Sequence, residues 1–257
     1  MAVELEGGCR VSMMHEGAAG VFGSLSVWNR VGRASGAEAI SLRILEFGPG
    51  TSPGLRNREC DEVIYALEGE CTVSIDGVGY EVGPETGVYL RPGQTLSVKN
   101  AGPDVARFVS SQCPEETVEI ADDSVAASSE QAAPIVRAPI VRLSDRRALP
   151  TADRWYRVLV DDEMGSEQVT QFVGSIPPGR APDHFHEYEE VLFILRGEGR
   201  MWAGDTNTPI GPGSCIYLPK RQVHCVENTG NGELRLLGVF YPAGSPAVRY
   251  EAADERE

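Results

Sequence analysis

The sequence predicts an all-β protein in which one unit is built twice, and three observations carry that reading. Glycine (29) and proline (17) are plentiful over 257 residues. Long uninterrupted amphipathic runs are missing, and short apolar segments punctuated by turns are the pattern of a many-stranded fold. A repeat offset by 128 residues relates the two halves.

Residues 1–36 hold short extended pieces such as Gly23-Ser24-Leu25-Ser26-Val27-Trp28, and a solitary His15 that reads as structural or exposed. Residues 40–45 alternate apolar and polar, as a half-buried strand does, whereas 63–67 are continuously apolar. Thr72-Val73-Ser74-Ile75 and Tyr80-Glu81-Val82 flank Asp76-Gly77, a hairpin signal. Residues 88–90 and 96–98 follow as further strands, separated by Arg91-Pro92-Gly93. Residues 115–139 change character. Glutamates and aspartates give way to Ala/Ser/Gln-rich sequence and a small tandem of Ala-Pro-Ile-Val-Arg, which reads as a flexible linker with too little apolar content to pack. The expected plan is therefore a first domain over 1–114, this linker, and a second domain over 140–257.

The repeat is visible residue by residue. Glu62-Val63 matches Glu190-Val191, and Leu67-Glu68-Gly69-Glu70 matches Leu195-Arg196-Gly197-Glu198. Val88-Tyr89-Leu90 matches Ile216-Tyr217-Leu218, and Asn100-Ala101-Gly102 matches Asn228-Thr229-Gly230. Phe47-Gly48-Pro49-Gly50 matches Ile176-Pro177-Pro178-Gly179 after a one-residue slip.

Three of the four histidines lie in one constellation, His184-Phe185-His186 with His224, and Glu190 stands between them. On an extended strand positions 184, 186 and 190 share a face. His224 from another strand would close a mixed N/O site suited to Fe, Mn, Ni, Cu or Zn. In the first half the equivalents of the two histidines are Arg56 and Arg58 or their neighbours once the slip is placed, Leu96 stands for His224, and only Glu62 survives. Arginine does not give up its proton to become a ligand, so the first half is expected to be metal-free.

Composition narrows the partners. A formal net charge of −15 without a Lys/Arg cluster argues against nucleic-acid binding. The sequence has no apolar run of the roughly 18 residues a membrane span needs and no basic amphipathic helix. Acids at the N-terminus oppose a signal peptide, so a cytoplasmic location is expected. The six cysteines are scattered without CxxC and read as small buried hydrophobes, Cys225 facing away from its neighbour His224.

Gly179, His184-Phe185-His186, Glu190 and Gly197 resemble the first motif of the cupin superfamily. Gly213-Ser214-Cys215-Ile216-Tyr217-Leu218-Pro219, His224 and Asn228 resemble the second, with 15 residues from 198 to 212 between them. Two departures stand out: Gly179 lies one residue nearer His184 than usual, and Arg221 replaces an expected glycine. The resemblance covers both halves and implies a bicupin: two jelly-roll barrels in tandem, the C-terminal one metallated and the N-terminal one degenerate. It implies His184, His186, Glu190 and His224 as ligands of one divalent transition metal per chain, Fe or Mn before Ni, Cu or Zn. Four protein ligands leave two positions of an octahedron open for substrate or O2.

Around those ligands, Tyr188 shares their parity and is a candidate acid, base or hydrogen-bond donor, with simple packing as the alternative. Leu192, Ile194 and Val226 are expected to form an apolar wall. Gln171 (or Gln168 with Thr170), Trp202 and Arg221 are candidate substrate contacts, Arg221 either fixing a turn or meeting an anion at the rim. The expected function is a metal-dependent enzyme acting on a small oxygen-rich or aromatic metabolite, a dioxygenase or other oxidoreductase first. A non-redox isomerase, lyase or aminohydrolase comes next; ureidoglycine aminohydrolases are similar in plan but differ in ligand set. A non-catalytic small-molecule-binding protein is the third reading. The expected partner is a small molecule, with a homo-oligomer compatible with the plan.

Overall fold

The computed structural model of the chain describes residues 1–117, 119–121, 138–151 and 153–247. Most of the linker, with the Ala-Pro-Ile-Val-Arg tandem at 133–137, lies outside them. The architecture is all-β: four antiparallel sheets of eight, seven, six and four strands, joined by short 3-10 turns. Each half pairs one large sheet with one smaller sheet in a barrel, and each barrel interior is an apolar cluster of its own.

A third cluster lies between the barrels. It takes Val63, Tyr65 and Val109 from the first large sheet and Val191, Phe193 and Val239 from the second. This explains why 63–67 is continuously apolar in sequence. In the strand Asp61–Glu68, Ile64 and Ala66 face the barrel interior while Val63 and Tyr65 face the other barrel. A strand buried on both faces has no reason to alternate.

The halves also exchange strands. Arg10–Met13 pairs antiparallel with Ser214–Leu218, in the second half, from Arg10↔Tyr217 to Met13↔Ser214. Ile140–Arg142 pairs with Thr86–Leu90, in the first, from Thr86↔Arg142 to Val88↔Ile140. Sheet membership therefore crosses the sequence boundaries at both ends. Hydrogen bonding reinforces the exchange. The Glu189 carboxylate accepts from the backbone N–H groups of Glu38 (2.7 Å), Ala39 (2.8 Å) and Ile40 (3.1 Å), and from the Tyr217 hydroxyl (2.6 Å). Asp61 stands at the same place in the first repeat and accepts from the Tyr89 hydroxyl at 2.6 Å. Hydrogen bonds to a charged acceptor are the stronger ones, and here they lock the first half's loop to the second barrel.

No helix among the described residues is long and apolar enough to cross a membrane. All six cysteines are free and buried.

Candidate metal centre

His184 and His224 meet as an isolated antiparallel bridge, each donating its backbone N–H to the other's carbonyl, at 3.1 and 2.8 Å. The chain then bends at 187–188 and enters the strand Glu189–Arg196 of the large sheet. The shared-face argument for 184, 186 and 190 thus assumed a local geometry that the chain does not have, although the residues do come together. The residues do not sit on one strand; they converge from both sheets of the barrel.

The ligand atoms of His184, His186 and His224 lie within 4.8 Å of one another. Glu190 Oε2 is 3.7 Å from His186 Nε2 and 3.6 Å from His224 Nε2. Donors around one ion at bond lengths of about 2.1 Å are roughly 3 to 4.2 Å apart. The ring Nδ1 of His184 is 3.1 Å from the Pro182 carbonyl, and that of His224 is 2.8 Å from the Gln222 carbonyl. A carbonyl only accepts, so each Nδ1 carries the proton and each neutral ring keeps its Nε2 lone pair for a metal.

The electrostatics also fit a cation. Glu190 is 4% exposed, and its Oε2 accepts no hydrogen bond from any described residue. Burial pushes its pKa up to about 8. Burial likewise holds His224 well below the usual imidazole range, with help from His184 and His186. A buried carboxylate without hydrogen bonds is costly unless a charge meets it. Three imidazoles and one such carboxylate are a donor set that a divalent ion satisfies, so these residues fit the metal.

A cavity of about 90 Å³ opens beside the four residues, walled by Phe172, Leu192, Val226, Leu236 and Phe240. Ile194 belongs to the same barrel core, one turn of the pleat further in.

The other expected site residues are placed differently. Tyr188 stacks on His186, with ring centroids 4.9 Å apart and planes at 10°, and gives its hydroxyl to the Ser245 carbonyl at 3.2 Å. It packs against the His186 ring and does not line the cavity. Gln171 faces the inter-barrel core, because its neighbour Phe172 takes the cavity-facing position; it is fully buried against Gly87. Trp202 faces outward, since Met201 and Ala203 take the interior positions of their strand. It stacks under Arg180 at 4.1 Å and donates to Glu227 at 2.8 Å. Neither Gln171 nor Trp202 lines the cavity. Arg221 is at the rim with φ 62 and is paired to Glu187 at 2.7 Å, while its N–H donates to the His186 carbonyl at 2.7 Å. Its turn-fixing alternative is the one the geometry supports. Cys225 lies on the face opposite His224 and accepts from Arg180 Nε at 3.3 Å.

The first barrel shows what replaced the ligands. The pair Leu55↔Leu96 occupies the register of His184↔His224, and the Asn57 carbonyl accepts from Gly93 N–H as that of His186 accepts from Arg221. The equivalents of the two histidines are therefore Leu55 and Asn57, not Arg56 and Arg58; the slip falls after 57. Arg58 pairs instead with Glu119. The counter-charge of Glu62 is Arg43, whose guanidinium bonds both that carboxylate and Ser110 Oγ, all buried. By strand register Arg43 stands where the second barrel has Phe172: Arg43 faces Ser110 as Phe172 faces Gly238.

Comparisons with known proteins agree with this plan. A family model described as the cupin domain matches twice, over residues 43–111 and 172–240. The chain belongs to the cupin family. As a bicupin it superposes on oxalate decarboxylase of Bacillus subtilis with a TM-score of 0.74 over 91% of this chain and 78% of that one, at 16% identity, a likeness of fold. In sequence it is similar to auxin-binding protein 1 of Arabidopsis thaliana, 31% identical over 30% of this chain and 43% of that protein. It is 38% identical to an oxalate-binding protein of Thermotoga maritima over 25% of this chain and 55% of that protein. It is 32% identical to L-ectoine synthase of Vibrio parahaemolyticus over 44% of this chain and 87% of that protein. The matches thus span about half the length of the first two relatives. Mn(II) centres are described for the B. subtilis enzyme.

Proposed function

We propose that the second barrel is the active site of a metal-dependent enzyme that oxidises a small oxygen-rich or aromatic metabolite, with His184, His186, Glu190 and His224 as ligands of Fe(II) or Mn(II). The observation that carries the reading is the open cavity beside a three-histidine, one-carboxylate set. A structural site closes its coordination with protein ligands, while a catalytic one keeps room for a reactant. Bound there, the metal supplies a Lewis acid and, as Fe or Mn, one-electron chemistry with O2.

The protein's part is arrangement. Backbone carbonyls fix the tautomers of His184 and His224, and Tyr188 holds the ring of His186. Phe172 and Phe240, 4.8 Å apart, keep the cavity dry. Glu190 brings one negative charge to the cluster.

A non-redox metal enzyme is the second reading, favoured by the match over most of the length of a relative named as a synthase. One test separates them. Chain loaded anaerobically with Fe(II) is exposed to nitric oxide and examined by electron paramagnetic resonance, then assayed for O2 uptake with small oxygen-rich compounds. An Fe–nitrosyl signal lost in His186→Ala is the expected result. A site that takes only Zn, with no nitrosyl signal and no O2 uptake, would contradict the oxidase reading and favour the second.

A further inference from the structure

The start of the chain is built into the second barrel. Leu5, Cys9 and Val11 are buried in its interior cluster, and the turn Glu6–Gly8 lies between them at the surface. That turn touches two loops. Glu6 donates its N–H to Thr206 Oγ1 at 2.8 Å, and its carboxylate accepts from the Asp205 N–H at 3.0 Å. Gly7 packs under the end of the Gln222 side chain, and Gly8 lies beside Pro219. The same two loops support His224. Its register partner is Ala203, the Gly204 N–H donates to the Val223 carbonyl at 3.1 Å, and the Gln222 carbonyl accepts from its ring Nδ1 at 2.8 Å.

The repeat again supplies a control. In the first barrel Leu96 pairs with Ile75 as His224 pairs with Ala203, which sets Asp76 in the place of Gly204. The two share a left-handed backbone, φ 48 and φ 55, and each donates its N–H to the matching carbonyl, Thr95 or Val223. Asp76 also ties its turn to the next strand through its side chain, which accepts from the Thr95 N–H at 2.9 Å and from Gln94 Nε2 at 3.0 Å. Gly204 has no side chain to do this. The space that a Cβ on Gly204 would take is filled by the Glu6 carboxylate. The turn thus carries a carboxylate in both barrels, its own in the first and one brought by the N-terminal arm in the second.

We propose that Glu6 is a positioning residue for the metal centre. By tying the turn after Ala203 to an arm that also packs on Pro219 and Gln222, it fixes both supports of His224 and so the aim of its ring. This rests on the metal-centre reading above and makes that centre depend on the first residues of the chain. An imidazole ligates only while its lone pair points at the ion, and groups outside the ligand set hold it there. The Gln222 carbonyl is such a group, and the arm lies directly against the residue that carries it. Burial is not what Glu6 contributes, since its side chain is exposed and Leu5 and Cys9 already anchor the arm. Its contribution is a charge-assisted hydrogen bond at one turn.

The test measures the dissociation constant of Mn(II) on the full chain, from the loss of the free ion's electron paramagnetic resonance signal. Glu6→Ala is expected to weaken binding about 10-fold. Glu6→Gln keeps an acceptor oxygen and is expected to stay within about threefold of the wild type. Gly204→Asp alone sets a second carboxylate against Glu6 and is expected to weaken binding as well. The double variant Glu6→Ala/Gly204→Asp carries the first barrel's own device and is expected to return to within about threefold of the wild type. A merely structural role would lower the urea midpoint and leave the Mn(II) constant of the folded chain unmoved. Wild-type affinity in Glu6→Ala overturns the proposal, as does a double variant that binds no better than Glu6→Ala. Uptake of no Mn(II) by the wild type would sink the metal reading, and the positioning is then decided on the metal-free chain by nuclear magnetic resonance of its histidine rings. A His224 Nδ1–H signal that moves in Glu6→Ala and returns in the double variant supports it; a signal that does not move overturns it.

Discussion

The two barrels share one scaffold and solve one electrostatic problem differently. Each buries a glutamate at the same place, Glu62 in the first and Glu190 in the second. In the first, the chain itself supplies the counter-charge: Arg43 reaches from two strands away, across the strand that carries Ser110, and Ser110 completes the cluster. In the second the equivalents of Arg43 and Ser110 are Phe172 and Gly238, and Glu190 faces three imidazoles and a cavity. A buried carboxylate is costly unless a cation meets it; in the first barrel the chain supplies that cation, and in the second the proposed metal ion would. The first barrel differs from the second by Arg for Phe at one strand position, Ser for Gly opposite it, and Leu, Asn and Leu for the histidines.

The largest expected effect is on metal content. His186→Ala or His224→Ala is expected to cut bound metal from one equivalent per chain to near zero, measured by elemental analysis, while far-ultraviolet circular dichroism is unchanged. Next is the first barrel. Arg43→Met leaves Glu62 buried without its partner and is expected to cost about 3–5 kcal/mol in urea unfolding. The double variant Arg43→Met/Glu62→Gln, which removes both charges, is expected to recover most of that loss. Equal instability of the two would break the claim that Arg43 serves to neutralise Glu62.

A smaller effect is expected from metal loading of the wild type. An ion that binds the folded state alone at a hundred times its Kd adds about 2.7 kcal/mol. Thermal unfolding in Mn(II) against chelator should show that gain in the wild type and lose it in His186→Ala. The smallest concerns the rim. Arg221 adopts a left-handed φ of 62 where the first barrel has Gly93 at 85. Arg221→Gly is expected to stabilise the chain by up to about 1 kcal/mol, with metal content unchanged. A destabilised variant would show that the Glu187 ion pair outweighs the strain.

Much of this was legible in the sequence, for physical reasons that can be named. Turn chemistry such as Asp76-Gly77 and the alternation of 40–45 mark strands locally, and the repeat extends them to both halves. The three clustered histidines stood out because histidine is scarce in this chain. What was hidden depends on pairing across distance. The strand exchange of Arg10–Met13 and Ile140–Arg142 has no local signature, since a strand's pattern does not say which sheet takes it. Gln171 and Trp202 were misplaced because one position of parity decides between cavity and opposite face. Register also hid Arg43, whose meeting with Glu62 depends on pairing across an intervening strand.

Bound-metal stoichiometry tests the central claim most directly. Elemental analysis of the chain after loading and desalting is expected to find one divalent metal per chain, retained in Arg43→Met/Glu62→Gln and lost in His186→Ala. Two equivalents, or one that survives His186→Ala, would contradict the assignment of the metal centre to the second barrel alone.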